Sequence, residues 1–239
     1  MIGDIDLKNI LFIDIETVPG VYDFSQLDSV WQDLWSEKTR FLQERDGLGP
    51  DELYEKAGIY AEFGKIVCIS TAIFHGQGPD MKLRVKSFFG KDETSLLHEF
   101  AHMLRRFDRG SEKYICGHNV KEFDIPYIAR RMLVNRMNLP RIIDLAGKKP
   151  WEVKHLDTME LWKFGDYKHF TSLKLLTQLF DVPTPKDDIS GSDVSRVFWE
   201  DDGLEQIRIY CEKDTVAVAR LIQRFLNTDI VRDEAIEVV

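Results

Sequence analysis

The chain has 239 residues, 44% of them hydrophobic and 31% charged, enough for one large α/β domain and short for two. No apolar run approaches the roughly 20 residues that cross a bilayer, and the start, MIGDIDLKNILFIDIET, carries acids where a signal peptide carries bases, so a cytoplasmic protein is expected rather than a secreted or membrane-bound one. The net charge of −9 excludes a protein that coats nucleic acid by bulk attraction, and three widely spaced cysteines (Cys68, Cys116, Cys211) with no CxxC exclude a disulfide framework and a cysteine zinc site.

Residues 10–16, ILFIDIE, alternate and read as a strand. Over 25–44, Leu27, Trp31, Leu34, Trp35, Phe41 and Leu42 recur at helical spacing and predict an amphipathic helix over one sheet edge. DGLGP breaks it, and DELYEKAG predicts a short second helix, giving a helical insertion at about 21–62. KIVCISTAIF (65–74) and LRVKSFF (83–89) read as adjacent antiparallel strands. A helix follows at 95–107, with Asp92 or Thr94 as cap. KYICGHN (113–119) is a short strand ending in a turn, and 125–137 is a helix with Pro126 in its first turn. RIIDL (141–145) and EVKHLDT (152–158) are rival short strands; 172–180 is a helix, 183–193 a loop, and 204–226 a long final helix. The order predicts a single α/β domain, a mixed five-stranded sheet with helices on both faces.

Three places carry acids that the bland pattern does not require. In LFIDIET, Leu11, Ile13 and Ile15 take one face of the strand, and Phe12, Asp14 and Glu16 the other, so two carboxylates project together near the strand's carboxyl end. Asp124 stands at the start of a helix, where it is either a cap or a ligand, five residues after Asn119. Asp214 falls in the apolar stripe of the final helix, four residues after Tyr210, where an acid is costly unless something pairs with it.

Together Asp14-Ile15-Glu16-Thr17, Asn119-x-x-x-Phe123-Asp124 and Tyr210-x-x-x-Asp214 resemble the DEDD superfamily of 3′→5′ exonucleases, in its tyrosine subclass, over roughly residues 8–226. The second motif looks closest to the proofreading domain of family B DNA polymerases, and the whole chain resembles a bacterial group of predicted stand-alone exonucleases. The resemblance implies a ribonuclease H-like fold and two divalent cations, Mg²⁺ or Mn²⁺, held by Asp14, Glu16, Asp124 and Asp214. Asp14 is assigned to both ions, Glu16 and Asp214 to the one holding the attacking water, and Asp124 to the one at the departing 3′ oxygen. All-oxygen ligation suits these ions better than zinc. Tyr210 is assigned to orienting the water, and the Thr17 backbone, Asn119 and Phe123 to gripping the terminal nucleotide.

The implied reaction is release of 5′-mononucleotides from the 3′ end of single-stranded DNA. DNA is favoured over RNA because the sequence carries no RNA-binding accessory domain, and any polymerase or repair link would run through a separate partner. The alternatives are an RNA-trimming exoribonuclease and a non-catalytic nucleic-acid or polymerase-binding adaptor; the adaptor predicts loss of the acids, which are all present. His118 is read as capping or packing, and Asp157 as a capping or supporting acid. Lys163, Lys168 and Lys174 either track phosphates or form a solvated face. Residues 121–180 hold 11 Lys/Arg against 7 Asp/Glu, while the rest of the chain holds 21 against 34.

Overall fold

The computed structural model describes residues 2–166, 168–183 and 189–239. Its centre is β1 (Ile10–Pro19), paired antiparallel with β2 (Gly64–His75) and parallel with β4 (Tyr114–Gly117). β3 (Lys82–Phe89) returns antiparallel beside β2, as the intervening turn predicted. Two short edge strands, β5 (Leu156–Asp157) and β6 (Ile236–Val238), complete a sheet of order β5-β4-β1-β2-β3-β6. The sheet therefore has six strands rather than five. β6 escapes the sequence pattern because three residues carry no periodicity. Of the rival short strands, EVKHLDT supplies β5, whereas RIIDL folds as a single 3₁₀ turn over Arg141–Ile143.

The helices are α1 (Ser29–Asp46), α2 (Glu93–Phe107), α3 (Asp124–Val134), α4 (Thr158–Lys163), α5 (Leu173–Leu179), α6 (Val194–Trp199) and α7 (Leu204–Phe225). The two faces of β1 sort as its alternation requires. Leu11, Ile13 and Ile15 join the core with Leu97, Phe100 and Leu104 of α2 and Ile128 and Met132 of α3. Ile10 and Phe12 pack on Val218, Ala219 and Ile222 of α7. Asp14 and Glu16, in step with Phe12, therefore belong to the α7 side. Asp92 caps α2, accepting from the amides of Thr94 and Ser95.

The register slips at the motif. Glu16 pairs with Cys68, but Thr17 pairs with Ile66, so β2 carries an extra residue, Val67. Such a bulge turns consecutive side chains toward one side. Val67 and Cys68 accordingly both enter the cluster of Val18, Ile207 and Cys211 beneath α7.

The amphipathic helix begins later than its pattern suggests, at Ser29 behind an Asp28 cap, and its apolar stripe is only partly used. Trp35 is buried and its indole donates to the Pro50 carbonyl at 2.7 Å, but Phe41 is 72% exposed. α1 rests not on a sheet edge but on DELYEKAG, which forms a 3₁₀ segment (Glu52–Ile59). Trp35, Leu53, Tyr54, Ala57 and Phe63 make a separate small core there. The 3₁₀ segment is the layer against β1. At Gly58 an added Cβ would lie 3.1 Å from the Val18 carbonyl carbon, so a side chain there would press on the β1 backbone and glycine suits the approach. One buried ion pair locks this layer to the rest. Arg131 of α3 clasps Glu93 of α2 and donates to the Ala61 carbonyl at 2.8 Å, while Glu93 also accepts from the Ile66 amide of β2. The two short helices α4 and α6 fall where no helix was expected. Within the expected loop, 184–188 lie outside the described residues, and Gly191–Asp193 make a 3₁₀ turn.

Candidate active site

Three elements converge above the carboxyl end of β1. The strand supplies Asp14 and Glu16, the start of α3 supplies Asp124, and α7 supplies Tyr210 and Asp214 one helical turn apart. Asp124 does not cap its helix. Its carboxyl faces the backbone N–H groups of Asp124 and Ile15, which act to lower its pKa. Glu16 is 8% exposed and Asp124 4%, whereas Asp14 and Asp214 are half-buried.

The electrostatics follow from that crowding. Burial, then the charges of Glu16, Asp214 and Asp124, hold the Asp14 carboxyl well above the usual carboxylate range. Burial and the neighbouring acids raise Glu16 in the same way. Asp124 is pushed up to about 7, chiefly by burial. Among the described residues, the groups acting on Asp14 and Glu16 are carboxylates and thiols, with no cation among them. The Tyr210 hydroxyl donates to Asp214, and burial with three nearby carboxylates keeps it protonated far above the ordinary tyrosine range.

Cys211 is a member of the site that its sequence context presented as a small buried hydrophobe. Its thiol donates to the Asp14 carbonyl and to Asp14 Oδ2, each at 3.4 Å. Asp14, Glu16 and Cys211 offer ligand atoms all within 4.8 Å of one another. Burial, followed by a hydrogen bond with Cys68, pushes the Cys211 thiol up, so it stays protonated and orients Asp14. The signal in the sequence was its place directly after Tyr210, on the stripe that also carries Asp214.

The remaining predicted residues surround this group. Asn119 has left-handed backbone (φ 65°), and its amide donates to Asp157 Oδ1 at 3.0 Å. The same buried Asp157 accepts from the Lys121 amide and caps α4, so it fixes the turn before Asp124 and does the work of a cap as well. Phe123 packs on Tyr127 with ring centroids 5.4 Å apart, and Thr17 lies beside the Tyr127 hydroxyl, which donates to the Gly58 carbonyl. His118 is a pin. Its Nε2 lies 3.0 Å from the Thr171 carbonyl and its Nδ1 2.9 Å from the Thr158 hydroxyl.

The model of a family described as predicted 3′-5′ exonucleases related to the exonuclease domain of PolB matches residues 59–232. That is more than half of the chain, and the chain belongs to this family. Comparison with curated proteins gives no match. The matched segment contains Asn119, Phe123, Asp124, Tyr210 and Asp214 but begins after Asp14 and Glu16, which β1 carries back into its centre.

The donor set fits divalent cations. Carboxylates that raise one another's pKa values, with no cationic side chain acting on the two from β1, are relieved by a hard oxygen-seeking metal. Among the described residues no helix is long and apolar enough to cross a membrane.

Proposed function

We propose that this chain is a 3′→5′ exonuclease acting on single-stranded DNA and releasing 5′-mononucleotides. The observation that carries the reading is the convergence of Asp14, Glu16, Asp124, Asp214 and Tyr210, drawn from three distant segments into mutual electrostatic contact. Family membership supports the exonuclease reaction, and the relation to a polymerase exonuclease domain supports DNA over RNA.

Asp14, Glu16, Asp124 and Asp214 would hold two divalent cations, Mg²⁺ or Mn²⁺, which when bound supply the charge that activates water and stabilises the departing 3′ oxygen. Tyr210, held protonated, donates its hydrogen bond and orients the attacking water instead of accepting its proton. Asn119, on a backbone fixed by Asp157, and Phe123, braced on Tyr127 beside Thr17, grip the terminal nucleotide. The chain works as a single exonuclease domain with residues 21–62 as a helical insertion, in the cytoplasm, with any polymerase or repair partner on a separate chain.

The test is digestion of end-labelled single-stranded DNA, duplex DNA and RNA with Mg²⁺, Mn²⁺ or EDTA. The expected result is mononucleotides from free 3′ hydroxyl ends of single-stranded DNA and none in EDTA. Cleavage of circular single strands at a comparable rate overturns the exonuclease reading, and faster digestion of RNA overturns the DNA preference.

A further inference from the structure

Among the described residues four aromatic side chains are more than two-thirds exposed, and three of them lie within 20 residues of one another, Trp151 just before β5 and Phe164 and Phe170 between β5 and α5. An exposed ring beside a cation is the pairing that single-stranded nucleic acid uses, a base stacking on the ring and a phosphate meeting the charge. Phe170 is 68% exposed, and the Lys163 ammonium stands 4.2 Å from its ring centroid. Among the described residues, neither Lys163 nor the nearby Lys168 and Lys174 has a carboxylate partner, although many surface cations of this acidic protein do. Phe170 also has a fixed position. It immediately precedes Thr171, whose carbonyl is held by His118, and His118 precedes Asn119 just beyond the carboxyl end of β4. The Thr171 carbonyl can only accept, so His118 donates to it from Nε2, and its Nδ1 lies 2.9 Å from the Thr158 hydroxyl.

We propose that Phe170 and Lys163 form a subsite for the strand upstream of the terminal nucleotide, a base stacking on the ring while the ammonium meets its phosphate. Stacking tolerates any base because every base presents a π-face, and an unpaired lysine supplies charge without reading sequence. This surface takes a single strand, because a paired base has no free face to offer. It rests on the exonuclease reading and extends it. The scissile bond is served by the acids of β1, α3 and α7, and the strand behind it by the strap that His118 pins beside Asn119. The local excess of positive charge over 121–180 matches that polyanion, while the rest of the chain repels it.

The experiment compares wild type, Phe170→Ala, Phe170→Trp and Lys163→Ala. Anisotropy of a fluorescent 20-nucleotide thymidine strand, and of its uridine counterpart, is read in EDTA. Hydrolysis of the 20-mer, and of the p-nitrophenyl ester of thymidine 5′-monophosphate, which has no upstream base, is read with Mn²⁺. Phe170→Ala should weaken 20-mer binding and raise its KM about tenfold, with kcat and ester hydrolysis unchanged. Phe170→Trp should restore both, and Lys163→Ala should flatten the salt dependence. Equal effects on thymidine and uridine strands mark stacking alone, and a larger effect on one names the source. Unchanged 20-mer binding and KM in Phe170→Ala, or an equal loss on the ester, overturns the subsite. A wild type that binds the strand through Phe170 but releases no mononucleotide overturns the exonuclease reading and leaves the subsite standing.

Discussion

Half-buried beside three carboxylates, the Tyr210 hydroxyl holds its proton well above the ordinary tyrosine range, so the role proposed for it in the reaction is that of a donor. Tyr210→Phe removes that donor and little else. It should lower kcat by about 10²-fold or more, while Mn²⁺ affinity, read by calorimetry, stays near wild type. An unaltered kcat, with chemistry shown to limit the rate, sinks this role. For the acids the expectation is reversed with respect to stability. Asp14→Asn and Asp214→Asn keep the shape and each remove one charge from a repelling group. Both should lose most activity, yet melt in EDTA no lower than wild type. Saturating metal at a hundred times its dissociation constant should stabilise wild type by about 2.7 kcal/mol and these variants much less. Variants that melt well below wild type in EDTA and respond to metal as it does would count against a shared carboxylate site. That Asp14, Glu16 and Asp214 would come together was legible in the sequence because an acid on an apolar stripe or in a core strand breaks its local pattern. Cys211 was not, because a cysteine on such a stripe fits the pattern and only the fold brings its thiol to Asp14.

At the scale of elements, long periodic segments declared themselves and short ones did not. β2, β3, α2 and α7 follow their patterns closely, since each buries a continuous face. α4, α6 and β6 are six residues or fewer, held by partners distant in sequence, such as the β3 strand that β6 joins. The bulge at Val67 was invisible for a related reason: register belongs to a pair of strands, and a single strand's alternation does not reveal it. The stripe on α1 misled because Leu34 and Phe41 stay exposed, the small core beneath needing little more of the helix than Trp35. The element contact with most at stake is Arg131 with Glu93, which joins α3, α2, β2 and the end of the insertion. Arg131→Met leaves the buried Glu93 carboxyl without its cation. It should cost about 3–5 kcal/mol in urea unfolding, and a loss below 1 kcal/mol would show that the clasp is not holding these layers together.

For the whole molecule, the buried acids set a pH dependence. A carboxyl whose folded pKa is raised stabilises the fold in its protonated form, and that contribution is lost as pH climbs from the unfolded value to the folded one. For Asp124 the window runs from 3.8 to about 7. Within it the folded state holds a proton that the unfolded chain has released, so stability falls by about 1.4 kcal/mol per pH unit for that proton. Melts in EDTA from pH 5 to pH 7.5 should therefore show wild type losing stability relative to Asp124→Asn as pH rises. Parallel curves for the two proteins would remove Asp124 from the titrating group. The same acids set the molecule's timing. Asp14 lies in the first strand and Asp214 in the last long helix, two hundred positions apart. Because synthesis proceeds from the amino end, a growing chain on the ribosome displays its first pair of acids long before the helix that completes them exists. If these acids form the cutting centre as proposed, a stalled or prematurely terminated product that lacks α7 carries none. On that reading the order of the parts itself removes the hazard of a half-made nuclease.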